Sequence, residues 1–198
     1  MNKNNNATVL KIHQPRPRFP IIKEIKNRFS PRFFASKMVK EKDLKIIFEA
    51  ARWAPSGHNS QPWQFYFAKK GASAYKKLLA TFNKYNQSWA YSAPLFILAT
   101  FIPKDNKNRY PFARYDLGTA VFSLVIQAQS LGYYSRQIGL FNKSKVKKIF
   151  SLNKYCKPYI VIAMGKIGDF NQVPSEIMEY ELDPRPRKTD FYSKLKLK

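Results

Sequence analysis

Between Asp116 and Leu131 the chain places Leu117, Ala120, Val121, Phe122, Leu124, Val125, Ile126 and Ala128 so that apolar groups point to every side of one helix. A helix that is apolar all round has to be covered all round. In 198 residues that leaves two places for it: the core of the domain, or the centre of an interface between subunits. Gly132 follows directly and supplies the helix stop.

The segments around it alternate in period. Leu44, Ile47, Phe48 and Ala51 mark the buried stripe of an amphipathic helix, with Glu41 and Asp43 at its positive end and Pro55 beyond its close. Short helices are expected over Ile21–Asn27, Ser73–Phe82 and Lys143–Phe150. Gln64–Ala68, Leu95–Phe101 and Tyr159–Met164 have strand length, and the last two are continuous apolar runs, as buried strands are. The class is therefore α+β, a central sheet flanked by helices. Residues 1–19, with His13-Gln14-Pro15-Arg16-Pro17-Arg18 and few acids, are expected to form an irregular basic arm. Residues 20–198 are expected to form a single domain, its end from 169 onward a polar tail carrying Arg185-Pro186-Arg187-Lys188.

The chain carries 36 Lys+Arg against 12 Asp+Glu, a formal net charge of +24, which opens the question of an anionic partner. With 16% aromatic residues it is not a disordered polycation. One cysteine excludes a disulfide scaffold, and with two histidines it leaves little for a zinc site; no metal is expected. Cys156 reads as a small buried hydrophobe. No apolar run reaches the ~20 residues of a membrane helix, so a cytoplasmic protein without a membrane partner is expected. The bases are scattered rather than run together, so most lysines read as solvated faces and no specific nucleic-acid partner is expected.

The parts of common catalytic sites are missing. Seven glycines form neither a Walker loop nor a dinucleotide fingerprint, there is no nucleophile elbow, and Asp116 is the one acid between Asp105 and Asp169. Two segments remain. In Arg28-x-Ser30-x-Arg32 an extended backbone points all three side chains the same way, either onto one anionic ligand or as a polar edge. Ala54-Pro55-Ser56-Gly57-His58-Asn59-Ser60-Gln61-Pro62-Trp63 is either an ordinary connecting loop or a set of donors and acceptors for a flat heterocycle. Tyr110, Phe112 and Tyr115 fit an aromatic wall over such a ligand or plain packing equally well.

Those two segments, with Asn86-Gln87-Ser88-Trp89-Ala90, Asp116-Leu117-Gly118-Thr119-Ala120, Leu131-Gly132 and Arg187-Lys188, resemble in order and spacing the FMN-dependent nitroreductase family over roughly residues 20 to 192. The resemblance implies a mostly antiparallel sheet and a homodimer whose interface is built on the long apolar helix. It implies FMN held between subunits: Arg28 and Arg187 at the phosphate with Arg185 as helper, and Ser30 nearby. Arg32 and Asn86 would stand at the pyrimidine edge, Pro55, Ser56, Gly57 and Asn59 along the ring or ribityl chain from the partner subunit, and Gly139 close to N5. Leu140 stands where relatives often carry a second glycine.

The implied activity is oxidation of NADH or NADPH at flavin N5, followed by reduction of a nitroaromatic, quinone or similar small acceptor. Hydride chemistry at N5 asks for no protein acid or base, which matches the empty search for a catalytic group, and no catalytic residue is expected. A dehalogenase or enone reductase of the same fold is the alternative; it calls for a charged lid, which 102–115 does not spell. A basic nucleic-acid-binding protein is the remote one.

Overall fold

The computed structural model describes residues 5–103, 110–189 and 191–195. The lid stretch of 102–115 therefore lies partly outside the described residues, at 104–109.

Among the described residues one sheet is formed by β1 (Trp63–Lys69), β2 (Leu95–Phe101), β3 (Tyr134–Ile138) and β4 (Lys157–Gly165). Its order is β1-β2-β4-β3 and every pair is antiparallel. The apolar runs predicted as buried strands are its two centres: all seven residues of β2 are buried, as are the last five of β4. Alternation along β2 divides them between two cores. Leu95, Ile97, Ala99 and Phe101 enter one, Phe96 and Leu98 the other. β3 was not predicted, because Tyr-Ser-Arg-Gln-Ile has no apolar run; pairing with β4 makes it a strand.

The first core is closed by α3 (Glu41–Arg52) and α6 (Ala113–Ser130), through Leu44, Ile47 and Ala51 on one and Leu117, Ala120, Leu124 and Ala128 on the other. The second is closed by α4 (Ser73–Leu79), α5 (Lys84–Ala90), α7 (Lys143–Ile149) and α8 (Ser175–Glu181), through Tyr75, Leu78, Trp89, Val146 and Ile177. No helix among the described residues is long and apolar enough to cross a membrane.

Within the chain α6 is fully covered on one side and only partly on the other. Phe122 is 49% exposed, Ile126 is half-buried, and α2 (Lys23–Asn27) runs beside them with Ile22 and Ile25 also exposed. Of the two places open to an all-apolar helix, the chain's own core thus accounts for one face and leaves the other partly exposed.

Two expectations are corrected at the chain ends. Asn5–Ile12 of the arm is a helix, α1, not an irregular segment. Its anchors are tertiary: Asn6 Nδ2 donates to Asp169 Oδ1 at 2.8 Å, the Phe170 amide donates to Asn6 Oδ1 at 2.7 Å, and Val9 is fully buried. A helix of two turns is marginal alone, so its own sequence gave little signal of it. The polar tail likewise contains a 3₁₀ turn at Phe170–Gln172 and then α8, whose Glu181 is buried. From Gln14 to Ile22 the proline-rich segment has no regular structure and bends at Arg18–Phe19, and the helix expected from Ile21 starts at Lys23.

Candidate functional site

The arginines predicted from the two ends of the sequence meet. Arg28 leaves the end of α2 half-buried and donates from Nη1 to Ser30 Oγ at 3.2 Å. Arg185 returns from the C-terminal segment and donates from Nη1 to the Arg28 carbonyl and from Nη2 to the His13 carbonyl at 2.8 Å. Arg187 follows, exposed, its Nη1 curled onto the carbonyls of Arg185 and Pro186. Burial lowers the pKa of Arg28, and the nearby charge of Arg187 adds to it; Arg185 is lowered by burial first, then by Arg28 and Arg187. None of the three forms an ion pair among the described residues. Three mutually repelling guanidinium groups with no carboxylate are a site for an oxyanion, and their forks suit a phosphate. The donor set therefore fits the phosphate of FMN.

Arg32 is placed differently. It has a carboxylate that the sequence reading did not anticipate: its Nη1 lies 3.2 Å from Glu181 Oε1, its Nε donates to Tyr85 Oη at 2.9 Å, and its guanidinium sits 5.0 Å over the Tyr180 ring. Beneath it lies Arg136 of β3, which sequence reasoning missed. Arg136 donates to the Ser30 carbonyl at 2.5 Å and faces the Trp89 ring at 5.5 Å. Burial lowers its pKa, the charge of Arg32 adds, and Glu181 opposes. So the Arg28–Arg32 segment is held from below by one arginine and from α8 by one glutamate. The available signal was weak: a lone cation inside a strand, and one of only 12 acids.

Asn86 is buried in α5 and spends its side chain locally. Its Nδ2 donates to the Leu140 carbonyl at 3.3 Å and its Oδ1 accepts from Trp89 Nε1 at 3.2 Å. This brings Asn86 to the Gly139-Leu140 turn. A Cβ on Gly139 would meet nothing within 4 Å, so the backbone there is open to a flat ligand.

The loop after α3 turns on a 3₁₀ turn at Gly57–Asn59 with His58, Asn59 and Gln61 all at positive φ. Three non-glycine residues in that region within one loop are held by their surroundings, as functional loops often are. What holds them is the start of α6. The Gly57 amide donates to Asp116 Oδ2 at 3.2 Å, Tyr110 Oη donates to the same oxygen at 2.5 Å, and Thr119 Oγ1 donates to the Pro55 carbonyl at 3.0 Å. Ser56 Oγ accepts from the Gln61 amide, and Asn59 Oδ1 accepts from Gln61 Nε2. Tyr110 is thus a buried packing residue; Phe112 and Tyr115 are exposed and remain free to face a ligand. The chain therefore presents two groups. Arg28, Ser30, Arg185 and Arg187 lie near the chain ends, and Pro55, Ser56, Gly57 and Asn59 lie at the head of α6.

Residues 25–166 match the model of the nitroreductase family. The crystal structure of an oxidoreductase containing FMN superposes with a TM-score of 0.85 at 25% identity, covering 100% of this chain and 98% of its own. An Archaeoglobus fulgidus protein whose name pairs NADH dehydrogenase with NAD(P)H nitroreductase is 26% identical over 148 residues, 74% of this chain and 83% of that one. The major NAD(P)H-flavin oxidoreductase of Aliivibrio fischeri is 35% identical over 71 residues, 34% of this chain and 33% of that one.

Proposed function

The chain belongs to the nitroreductase family, and on that premise we propose that it is an FMN-dependent oxidoreductase. It oxidises NADH or NADPH and reduces a nitroaromatic, quinone or similar small acceptor. The observation that carries this reading is the gathering of Arg28, Arg185 and Arg187, none of which has an ion-pair partner among the described residues.

When bound, FMN supplies a ring that accepts and passes on a hydride at N5. The chain's part is to hold and orient. Arg28 and Arg187 take the phosphate. Arg185, whose donors are spent on carbonyls, fixes the geometry of Arg28. Ser30 receives Arg28 Nη1 and limits its swing. Arg32 stands at the pyrimidine edge, its direction set by Glu181. Asn86 fixes the Gly139-Leu140 turn through the Leu140 carbonyl, and the open backbone there would face the ring. Pro55, Ser56, Gly57 and Asn59 reach the ring or ribityl chain of the partner's site. This division explains the partly exposed apolar face of α6 around Phe122, which a second copy covers in a homodimer.

Purified protein is expected to be yellow and to keep its flavin absorbance through desalting. Protein that stays colourless after FMN is added contradicts the reading. Turnover of NADH and NADPH against a nitroaromatic and a quinone then identifies the acceptor class.

A further inference from the structure

Arg136 joins two parts of the site within one chain. Its Nη1 donates to the Ser30 carbonyl at 2.5 Å and so fixes the backbone between Arg28 and Arg32. Its guanidinium faces the Trp89 ring at 5.5 Å. Trp89 Nε1 donates to Asn86 Oδ1 at 3.2 Å, and Asn86 Nδ2 donates to the Leu140 carbonyl beside Gly139. One side chain of β3 thus braces the phosphate segment against the turn that would face the ring.

The charge of Arg136 exceeds what bracing needs. A neutral amide also carries a donor for the Ser30 carbonyl, whereas a buried cation costs solvation unless it is paired. Glu181 is the carboxylate that acts on Arg136, yet its ion pair goes to Arg32 at 3.2 Å. Among the described residues Arg136 has no ion-pair partner of its own. Burial lowers its pKa and Arg32 adds to that, but an arginine stays protonated at neutral pH. Two guanidinium groups therefore share one carboxylate, and one positive charge is left over beneath the Arg28–Arg32 segment.

A reduced flavin has a use for that charge. A hydride from the nicotinamide brings two electrons and one proton, so reduction adds one negative charge to the bound ring, at its pyrimidine edge. A fixed cation held away from water favours that form over the oxidised one.

We propose that Arg136 is a further residue of the flavin site: it positions the Arg28–Arg32 segment against the Asn86–Leu140 turn, and its uncompensated charge raises the reduction potential of bound FMN. The inference rests on the FMN reading above. Arg136 acts through Ser30 and Trp89 and through its field, so it is a positioning residue and not a catalytic one.

The test compares the full-length flavoprotein as wild type, Arg136→Met, Arg136→Gln and Arg136→Lys. Flavin fluorescence gives the dissociation constant of oxidised FMN, and titration against a reference dye gives the two-electron potential. Met and Gln both remove the charge, and Gln keeps a donor for Ser30, so either carries the test if the other does not fold. Both are expected to lower the potential by about 30 mV or more, a tenfold loss of preference for reduced over oxidised FMN. Lys keeps the charge and should hold the potential near that of the wild type. Met should also weaken oxidised FMN by about threefold to tenfold through the lost Ser30 contact.

Unchanged potentials in the neutral variants, or a Lys variant that falls as far as Met, overturn the electrostatic role and leave the FMN reading standing. Undiminished FMN affinity in Arg136→Met overturns the positioning role. A wild type that binds no FMN overturns the FMN reading, and this inference falls with it.

Discussion

Arg32 and Glu181 meet twice at one atom: Glu181 Oε1 accepts from the Arg32 amide at 2.9 Å and from Arg32 Nη1 at 3.2 Å. The side chains are 14% and 1% exposed. A carboxylate so placed locks both the backbone and the head of the arginine, and ties the N-terminal segment to α8 across 149 residues of sequence. Removing one member leaves the other charge buried without a partner. Glu181→Ala is therefore expected to cost about 3 kcal/mol in urea denaturation, and a loss within error of zero refutes the lock.

The same contact predicts a pH signature. Burial raises the Glu181 carboxyl above its ordinary value of 4.5, while Arg32 pulls it back. A carboxyl raised in the folded chain binds its proton there more readily than in the unfolded chain. Its contribution therefore grows as pH falls through the folded pKa and is complete below 4.5. Relative to Glu181→Gln, wild-type stability should gain as pH is lowered from neutrality toward that value. Parallel stability curves for the two proteins would show that Glu181 does not titrate differently on folding.

Arg28→Ala removes one charge-assisted fork, worth about 1.5–3 kcal/mol, from the proposed phosphate site. The dissociation constant for FMN should rise by roughly tenfold to a hundredfold, read by flavin fluorescence. Arg28→Lys keeps the charge and loses the fork, so it should fall between. Undiminished retention in Arg28→Ala contradicts the phosphate role.

Gly57 is held against Tyr110. A Cβ there would run into Tyr110 Oη, and that ring is pinned by its hydrogen bond to Asp116. Gly57→Ala should cost about 1–3 kcal/mol of stability through overpacking. The measurement is the melting temperature of the flavin-free protein, where Ser56→Ala is the mild control.

Phe122 lies on the uncovered side of α6. Phe122→Asp should leave the protomer's circular dichroism unchanged, since that ring is not in the core. On the proposed reading, in which each site draws its loop from a second copy, it should convert a dimer into a monomer on size-exclusion chromatography and reduce flavin retention with it. A wild type that is already monomeric refutes the shared site.

Runs and periods made the core legible from sequence. The two apolar strands, the stripe of α3 and the all-round apolarity of α6 follow from side-chain burial, which one segment can express alone. The same holds for the arginines as a residue type, since a phosphate selects guanidinium wherever it comes from. The remainder was decided by packing. α1 is helical because Asp169 and Phe170 hold it, β3 is a strand because β4 pairs with it, and Arg32 is neutralised because α8 delivers Glu181. Each of these depends on a partner more than 20 residues away, and local sequence carries no record of such a partner. That is also why the +24 charge could not be resolved from sequence: only the tertiary structure brings Arg28, Arg185 and Arg187 together from the two ends of the chain.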